Sequence, residues 1–350
     1  MAILDIRLQN FRSYKDSSYQ FVDGVNVVVG PNASGKTNLL EAILVLAEGS
    51  SYRAKDPYLI KNKSTWARLD GRFDQGQRIL KVRSSDDETE KTLELDGKTI
   101  RRVSYDKTIP VVLFEPNHLQ LFTHGPQQRR DYIDYLLQKH QPQLKLLINK
   151  YRRVLAQRNT LLKEPLARTK DQMFVWDLRL SEMGSQIAQA RQKLVGQINQ
   201  SLSRKYSAIA KTKANAEVDY LNQFPLNNYA TKMLSRLQAD LALDSTRGFT
   251  AHGPHREDFT FKLNGRQLNL AASRGETRSL LLALKLLELE LVESARAEKP
   301  ILLLDDVFSE LDGQRRLALV AAMKKYQTII TATGLDNMPK NMVKLAIVRL

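Results

Sequence analysis

The chain contains no cysteine, which excludes disulfides, thiolate metal sites and a cysteine nucleophile. A cysteine-free composition fits a reducing compartment, so cytoplasmic residence is the expectation. No apolar run approaches the roughly 18 residues that a membrane-spanning helix needs. The opening Met-Ala-Ile-Leu-Asp-Ile-Arg lacks the basic-then-apolar plan of a secretory signal, and no membrane partner is expected. Acid is the other shortage. Asp and Glu total 38 against 54 Lys and Arg, a net charge of +16. A surplus of that size favours a polyanionic partner, meaning nucleic acid or an anionic surface. There is no internal repeat and no low-complexity tract. The 350 residues suffice for about two domains with cores of their own.

What is present changes character along the chain. The first 110 residues read as short strands with turn punctuation. Ile3 to Leu8 alternates, Val25 to Val29 is a continuous apolar run, and Ile79–Val82 and Leu93–Leu95 are brief. Asp96-Gly97 is a hairpin signal, and Val111 to Phe114 is a buried-strand candidate. From Gln127 to about Leu241 the spacing is helical, as in Tyr132, Ile133, Leu136, Leu137 and Leu144, Leu147, Ile148, Tyr151. Pro142, Pro165 and Pro225 divide that stretch into several helices. Short strands return at Phe259–Leu263 with an Asn264-Gly265 turn. A leucine-rich helix follows from about Thr277 to Arg296, then apolar strands at Ile301–Leu304 and Thr328–Ile330. The pattern predicts an α/β unit split in sequence, residues 1–120 and 246–350, with a helical lobe at 121–245 inserted between.

Gly30-Pro31-Asn32-Ala33-Ser34-Gly35-Lys36-Thr37 fits G-x-x-x-x-G-K-[ST] at every fixed position. A strand precedes it and an apolar-faced helix, Asn38 to Glu48, follows. The glycines let backbone N–H groups crowd a β-phosphate at a helix N-terminus. Lys36 is placed to reach β- and γ-phosphates and the Thr37 hydroxyl to sit on Mg²⁺, so ATP is the expected ligand.

Ile301-Leu302-Leu303-Leu304-Asp305-Asp306 is an apolar strand ending in two carboxylates. A parallel strand carries such a pair to the sheet's carboxyl edge, where the phosphate loop also lies. Asp305 suits the metal, and Asp306 suits orienting or deprotonating an attacking water. Ser309-Glu310-Leu311-Asp312 then opens a helix with a capping pattern. Ahead of the leucine-rich helix stands Ser273-Arg274-Gly275-Glu276, a serine and a glycine at a helix N-terminus and thus a second anion-sized site. In a monomer that site is redundant. In a dimer it can close over the partner subunit's γ-phosphate.

The phosphate loop, the S-R-G-E element and Leu302-Leu303-Leu304-Asp305-Asp306-Val307-Phe308-Ser309-Glu310-Leu311-Asp312 together resemble an ABC-type ATPase head. The opening Ile6-Arg7-Leu8-Gln9-Asn10-Phe11-Arg12-Ser13-Tyr14 and the stretch His252-Gly253-Pro254-His255-Arg256-Glu257-Asp258-Phe259 narrow the resemblance to the RecF family, from residue 3 to about 335. It implies an α/β fold: an ABC-type head with an N-terminal β subdomain and an inserted α-helical lobe. Ser273, Arg274, Gly275 and Glu276 then act as a signature in trans, Asp305 as the Walker B metal residue, Asp306 as the catalytic carboxylate, and Ser309 and Asp312 as the D-loop. The implied function is an ATP-dependent dimer in recombinational repair, replication and the SOS response. It binds duplex and gapped DNA without reading sequence and, with RecR, helps load RecA. Slow, DNA-stimulated hydrolysis serves as its release switch. Transporter heads carry a late histidine switch, whereas the last histidine here is His255 and Thr331 and Thr333 occupy that neighbourhood. SMC-like arms need longer heptad runs than the lobe offers. The glutamine loop has no clear counterpart, with Gln120 the nearest candidate.

Basic residues concentrate in the lobe. Lys145, Lys150, Arg152, Arg153, Arg158, Lys163, Arg168 and Lys170 are accompanied by a single acid, Glu164, and Arg191 to Lys213 contains none. A one-signed helix face suits backbone phosphates, and Lys150, Arg152, Arg153 and Arg158 are the DNA-contact candidates.

Overall fold

The computed structural model describes residues 1–85, 88–335 and 345–350, with the backbone alone at 166–171 and 271. The chain forms two compact units, residues 1–118 with 288–350, and residues 119–287.

The first unit begins with β1 (Ile3–Phe11), β2 (Tyr14–Gln20), β3 (Val25–Val29) and α1 (Lys36–Glu48). Next come β4 (Trp66–Phe73), β5 (Gly76–Ser84), β6 (Thr89–Leu95), β7 (Lys98–Ile100) and β8 (Val111–Phe114). Six of these strands make an antiparallel sheet in the order β2-β1-β4-β5-β6-β7. Its alternation sends Ile6, Leu8, Leu69, Leu80, Val82 and Leu93 into the core. The opposite face carries ion pairs such as Arg7–Asp16, Arg68–Asp70 and Lys81–Glu94. One face packed and one solvated is the usual state of an antiparallel sheet. β2 buries only Tyr14, as an edge strand can, so its polar sequence gives no strand signal.

The second unit runs α2 (Gln120–Thr123), α3 (Pro126–His140), α4 (Gln143–Leu161), α5 (Leu166–Ala210), β9 (Ala216–Leu221), α6 (Tyr229–Ala239) and α7 (Leu241–Arg247). It continues with β10 (Asp258–Leu263), β11 (Arg266–Gln267), α8 (Leu268–Ala271) and the greater part of α9 (Arg274–Arg296). α5 is its spine, 45 residues long. Met173, Leu180, Ile187, Leu194, Ile198, Leu202 and Tyr206 form one buried stripe along it at heptad-like and i,i+4 spacing. α4, α6 and β9 pack on this helix.

The expected lobe boundary at residue 245 is corrected to Leu287, inside α9. The reason is strand pairing. β10 runs antiparallel to β9 from Asp258↔Leu221 to Leu263↔Ala216, so residues beyond 245 are hydrogen-bonded into the lobe. β9 itself was not expected in a helical stretch. Ala-Glu-Val-Asp-Tyr-Leu has the two-residue period of a strand and buries Ala216, Val218 and Tyr220.

The chain then completes the first unit with β12 (Ile301–Asp305), α10 (Val307–Glu310), α11 (Gly313–Met323), β13 (Thr328–Ala332) and β14 (Leu345–Arg349). These strands join β3 and β8 in a parallel sheet ordered β14-β3-β13-β12-β8. β12 and β13 are buried almost throughout, which accounts for their unbroken apolar runs. Leu39, Leu40 and Ile43 of α1 belong with Val28, Leu303 and Ile329 to a core cluster that also includes Ile6, Leu8 and Leu80 of the antiparallel sheet. No helix among the described residues is long and apolar enough to cross a membrane.

Candidate nucleotide site

All four strands β3, β8, β12 and β13 run parallel, so their carboxyl ends share one edge of the sheet. Sequence elements far apart in the chain meet there, at the place where open α/β sheets bind ligands. The loop after β3 opens with the Gly30 N–H bonded to the Ala332 carbonyl at 3.3 Å. Gly35 has φ +105°, and a Cβ there would meet Ser13 Oγ at 2.7 Å, so no other residue fits. Lys36 is buried, and its Nζ donates to the carbonyls of Gly30 and Pro31, each at 2.7 Å. The lysine charge is thus drawn in over the loop. Ser34 Oγ is buried with no hydrogen-bond partner. An orphaned hydroxyl beside a buried ammonium and a helix N-terminus is a donor set suited to phosphate oxygens.

The Asp305 carboxylate sits between two hydroxyls. Thr37 Oγ1 donates to Oδ2 at 2.7 Å, and Thr331 Oγ1 donates to Oδ1 at 2.7 Å. Thr331 Oγ1 also accepts the Asp306 N–H at 2.9 Å. Cross-strand register explains the contact, because Asp305 and Thr331 are paired positions of β12 and β13. Asp306 is left-handed, φ +49°, an uncommon state for a side chain other than glycine. Its carbonyl accepts from Ser309 Oγ at 2.7 Å. Burial raises the Asp306 carboxyl above the ordinary carboxylate range, and Asp305 adds to the rise, while Ser309 and Lys36 oppose it. A raised carboxylate is a better proton acceptor. The described residues include no cluster of three metal-ligating side chains. Thr37 and Asp305 alone fit Mg²⁺, which keeps several waters and takes substrate phosphates for its remaining positions.

The turn between β1 and β2 supports this loop. Tyr14 O–H donates to the Gly35 carbonyl at 3.1 Å, and Asn38 Nδ2 donates to Ser13 Oγ at 3.0 Å. Arg12 holds the buried Glu41 of α1 through two bonds of 2.9 and 2.7 Å. In the sequence this N-F-R-S-Y run marked a resemblance without a role. Glu115, directly after β8, accepts from Tyr52 O–H at 3.0 Å. Gln120 opens α2 in the other unit and is exposed.

The S-R-G-E element lies in the second unit. Ser273 Oγ accepts the Glu276 N–H at 3.2 Å and Glu276 Oε2 accepts the Ser273 N–H at 2.7 Å, a reciprocal capping box at the start of α9. Ser273 and Arg274 are exposed. Asp312 accepts the Arg315 N–H at 3.1 Å and caps α11, whereas Ser309 lies within α10.

Of the DNA-contact candidates, Lys150, Arg152 and Arg153 are exposed on α4. Arg158 is not. It is fully buried, donating to Asp177 at 2.6 Å, Asp244 at 2.7 Å and Thr250 Oγ1 at 2.8 Å. Its acidic partners arrive from α5 and α7, so a count of nearby charges along the sequence cannot find them. The same holds for Arg191, buried against Asp134 through bonds of 2.9 and 3.0 Å. Arg158 is therefore removed from the DNA-contact candidates, and buried Arg191 adds nothing to the exposed basic charge of the lobe.

A phosphate loop, a strand-end aspartate pair and a long lobe interrupting the head define an ABC-type ATPase head of the RecF/SMC class. The RecF/RecN/SMC N terminal domain model matches residues 2–349. The chain belongs to the RecF family. It is 35% identical over 352 residues to the DNA replication and repair protein RecF of Lachnoclostridium phytofermentans, covering 98% of this chain and 96% of that one. A solved structure of the recombination mediator protein RecF with ATP, in the RecFOR pathway, superposes with TM-score 0.85 at 30% identity, covering 96% of this chain and 93% of that chain. The SMC head of Pyrococcus furiosus bound to the C-terminal domain of ScpA, at 17% identity and TM-score 0.53, shares the fold over 98% of this chain and 92% of that chain.

Proposed function

We propose that this chain is an ATP-gated, dimerising DNA-binding switch of replication and recombinational repair. The observation that carries the reading is the 2.7 Å contact between the phosphate-loop Thr37 and the strand-end Asp305, 268 residues apart in sequence. Lys36 and Ser34 bind phosphate oxygens, and Thr37 with Asp305 would hold Mg²⁺, which would supply neutralisation of phosphate charge when bound. Asp306 accepts the proton of the attacking water. Ser273 to Glu276 acts in trans, bringing the partial positive charge of the α9 N-terminus and the Ser273 hydroxyl to the partner's γ-phosphate. Hydrolysis then reopens the dimer and releases DNA. By family resemblance the partners are duplex or gapped DNA and RecR, and the outcome is loading of RecA at single-strand gaps.

Sedimentation velocity tests the core of this. ATP-Mg²⁺, and not ADP, is expected to convert monomer to dimer, with DNA shifting the midpoint to lower ATP. An unchanged sedimentation coefficient at saturating ATP-Mg²⁺ sinks the dimer switch. Phosphate release that is absent with and without duplex DNA removes the catalytic role.

A further inference from the structure

His252–Asp258 is a sequence motif that the nucleotide chemistry does not use, and much of the second unit is knitted around it. Arg129 grips Asp258 with two 2.8 Å bonds. Arg191 holds Asp134 and also donates to the Pro254 carbonyl at 2.6 Å. The buried Glu257 accepts from Tyr229 O–H at 2.6 Å, from the Gln223 N–H at 2.9 Å and from Tyr220 O–H. Gly253, at φ +126°, lets the chain pass where a Cβ would meet Tyr151 Oη at 2.7 Å. Every carboxylate of this knot already has its donors.

Two guanidiniums do not have a carboxylate. Arg130 donates to the Glu257 carbonyl at 2.7 Å and to Gln127 Oε1 at 2.8 Å. Arg256 donates through Nε to the Thr250 carbonyl at 3.1 Å and lies over the Phe249 ring, 4.5 Å from its centroid. Neither has a carboxylate within ion-pair distance among the described residues. A third, Arg152, reaches Asp131 only at 3.9 Å. Arg130, Arg152 and Arg191 line a cavity of about 60 Å³ together with Tyr151 and His255. His255 bonds the Thr250 carbonyl through Nε2 at 3.0 Å, so its other nitrogen, Nδ1, accepts from Tyr151 O–H at 2.7 Å. That imidazole is neutral: burial, with Arg256, Arg130 and Arg191 nearby, holds it at about 4. Asp131 and Asp134 also line the cavity, the second paired with Arg191, so three guanidiniums face two carboxylates there, and the uncancelled charge is that of Arg130, with Arg256 nearby.

We propose that this cavity and the arginines beside it, Arg130, Arg152 and Arg256, seat one backbone phosphate of duplex DNA. A water needs roughly 10–15 Å³ of such volume, so the cavity has room for the oxygens of one phosphate. Guanidinium forks match phosphate oxygens in geometry as well as charge. DNA is the favoured source because Lys150, Arg152 and Arg153 are all exposed on α4, placing further phosphate-pairing cations on the helix that carries part of the seat. A contact to backbone phosphate fixes register without sequence preference. The inference deepens the DNA-binding reading proposed above and rests on it.

The test is a salt titration of duplex affinity by fluorescence anisotropy, on wild type and on the double variant Arg130→Gln, Arg256→Gln. Because the seat holds a single phosphate, the variant is expected to lower the slope of log K against log salt by up to roughly 0.9. ATP-driven sedimentation stays as in wild type. If the double variant melts early, Arg152→Gln, an exposed side chain, replaces it with an expected slope change of roughly 0.9. A wild-type slope in a folded variant overturns the seat while leaving DNA binding intact. Wild type that fails to bind duplex overturns both readings. Inorganic phosphate that raises the melting point of wild type and not of the variant, with no DNA effect, reassigns the cavity to a free anion and overturns the DNA seat.

Discussion

Thr331 is a single hydroxyl with two obligations, donating to the Asp305 carboxylate and accepting the Asp306 N–H. The second bond helps hold Asp306 in its left-handed state, which costs of order 1 kcal/mol or more for a residue with a Cβ. Thr331→Val keeps shape and removes both bonds. Turnover is expected to fall about 10- to 100-fold, the worth of one or two hydrogen bonds to charged or strained groups. Nucleotide binding stays, and Thr331→Ser restores most of the rate. A wild-type phosphate-release rate in Thr331→Val removes it from the mechanism. Asp306→Asn is the sharper change. The amide keeps the size and cannot accept the water's proton, so turnover falls by roughly 10² to 10⁴ while the ATP-bound dimer persists on DNA. Because burial raises the Asp306 carboxyl, the acid limb of the wild-type pH profile lies above the usual carboxylate range. Wild-type turnover by Asp306→Asn rules the residue out as the base. Both aspartates were legible from their place at the end of an apolar run. Thr331 registered only as the missing histidine, because its role depends on a strand register that no local pattern encodes.

Helix α4 shows where reading by element fails. Arg152 and Arg153 project to solvent, and five residues on Arg158 is fully buried between α5 and α7. Arg158→Met is expected to cost about 3–5 kcal/mol, since it leaves Asp177 and Asp244 buried without their cation. Arg153→Glu is expected to lower DNA affinity with little change in stability. A denaturant midpoint for Arg158→Met equal to wild type refutes this division of labour. The loop before β10 adds a pH dependence. His255 is held at about 4, below its usual 6.5, so the unfolded chain takes up its proton first as pH falls. The His255 contribution to stability is fully present above about pH 6.5 and falls by about 3 kcal/mol on the way to pH 4. Titrating the urea midpoint checks this, and His255→Gln is expected to remove that part of the decline. Elements with one strong period, α1, β3, β8, β12 and β13, were legible from sequence. β2 and β9 were not: one is a polar edge, and the other is six residues inside a helical context. The lobe boundary was missed with β9, because without a partner strand β10 reads as part of the head.

At the scale of the whole molecule, the dimer reading makes an arithmetic prediction. Lys36→Arg retains nucleotide and loses turnover, and Ser273→Arg blocks closure over the partner subunit's phosphate. Each variant alone carries the defect in both composite sites. A mixed dimer holds one doubly broken site and one that joins an intact loop to an intact signature. Mixing is expected to restore DNA-stimulated hydrolysis, at most about half per mixed dimer if the sites fire independently. Mixed dimers that form and stay inactive, while Lys36→Arg with wild type remains active, reject the signature in trans. The parallel sheet also has a history in time. β3 lies between β13 and β14, strands made about 300 residues after it, and synthesis at roughly 5–20 residues per second leaves it without neighbours for about 15–60 s. Until Thr328–Ala332 emerges, Val-Asn-Val-Val-Val is an unpaired apolar edge, the kind of segment that chaperones hold and aggregates recruit. The nascent chain therefore carries its phosphate loop long before it can use it, and a ribosome stalled ahead of Thr328 displays a sticky strand in place of a nucleotide site.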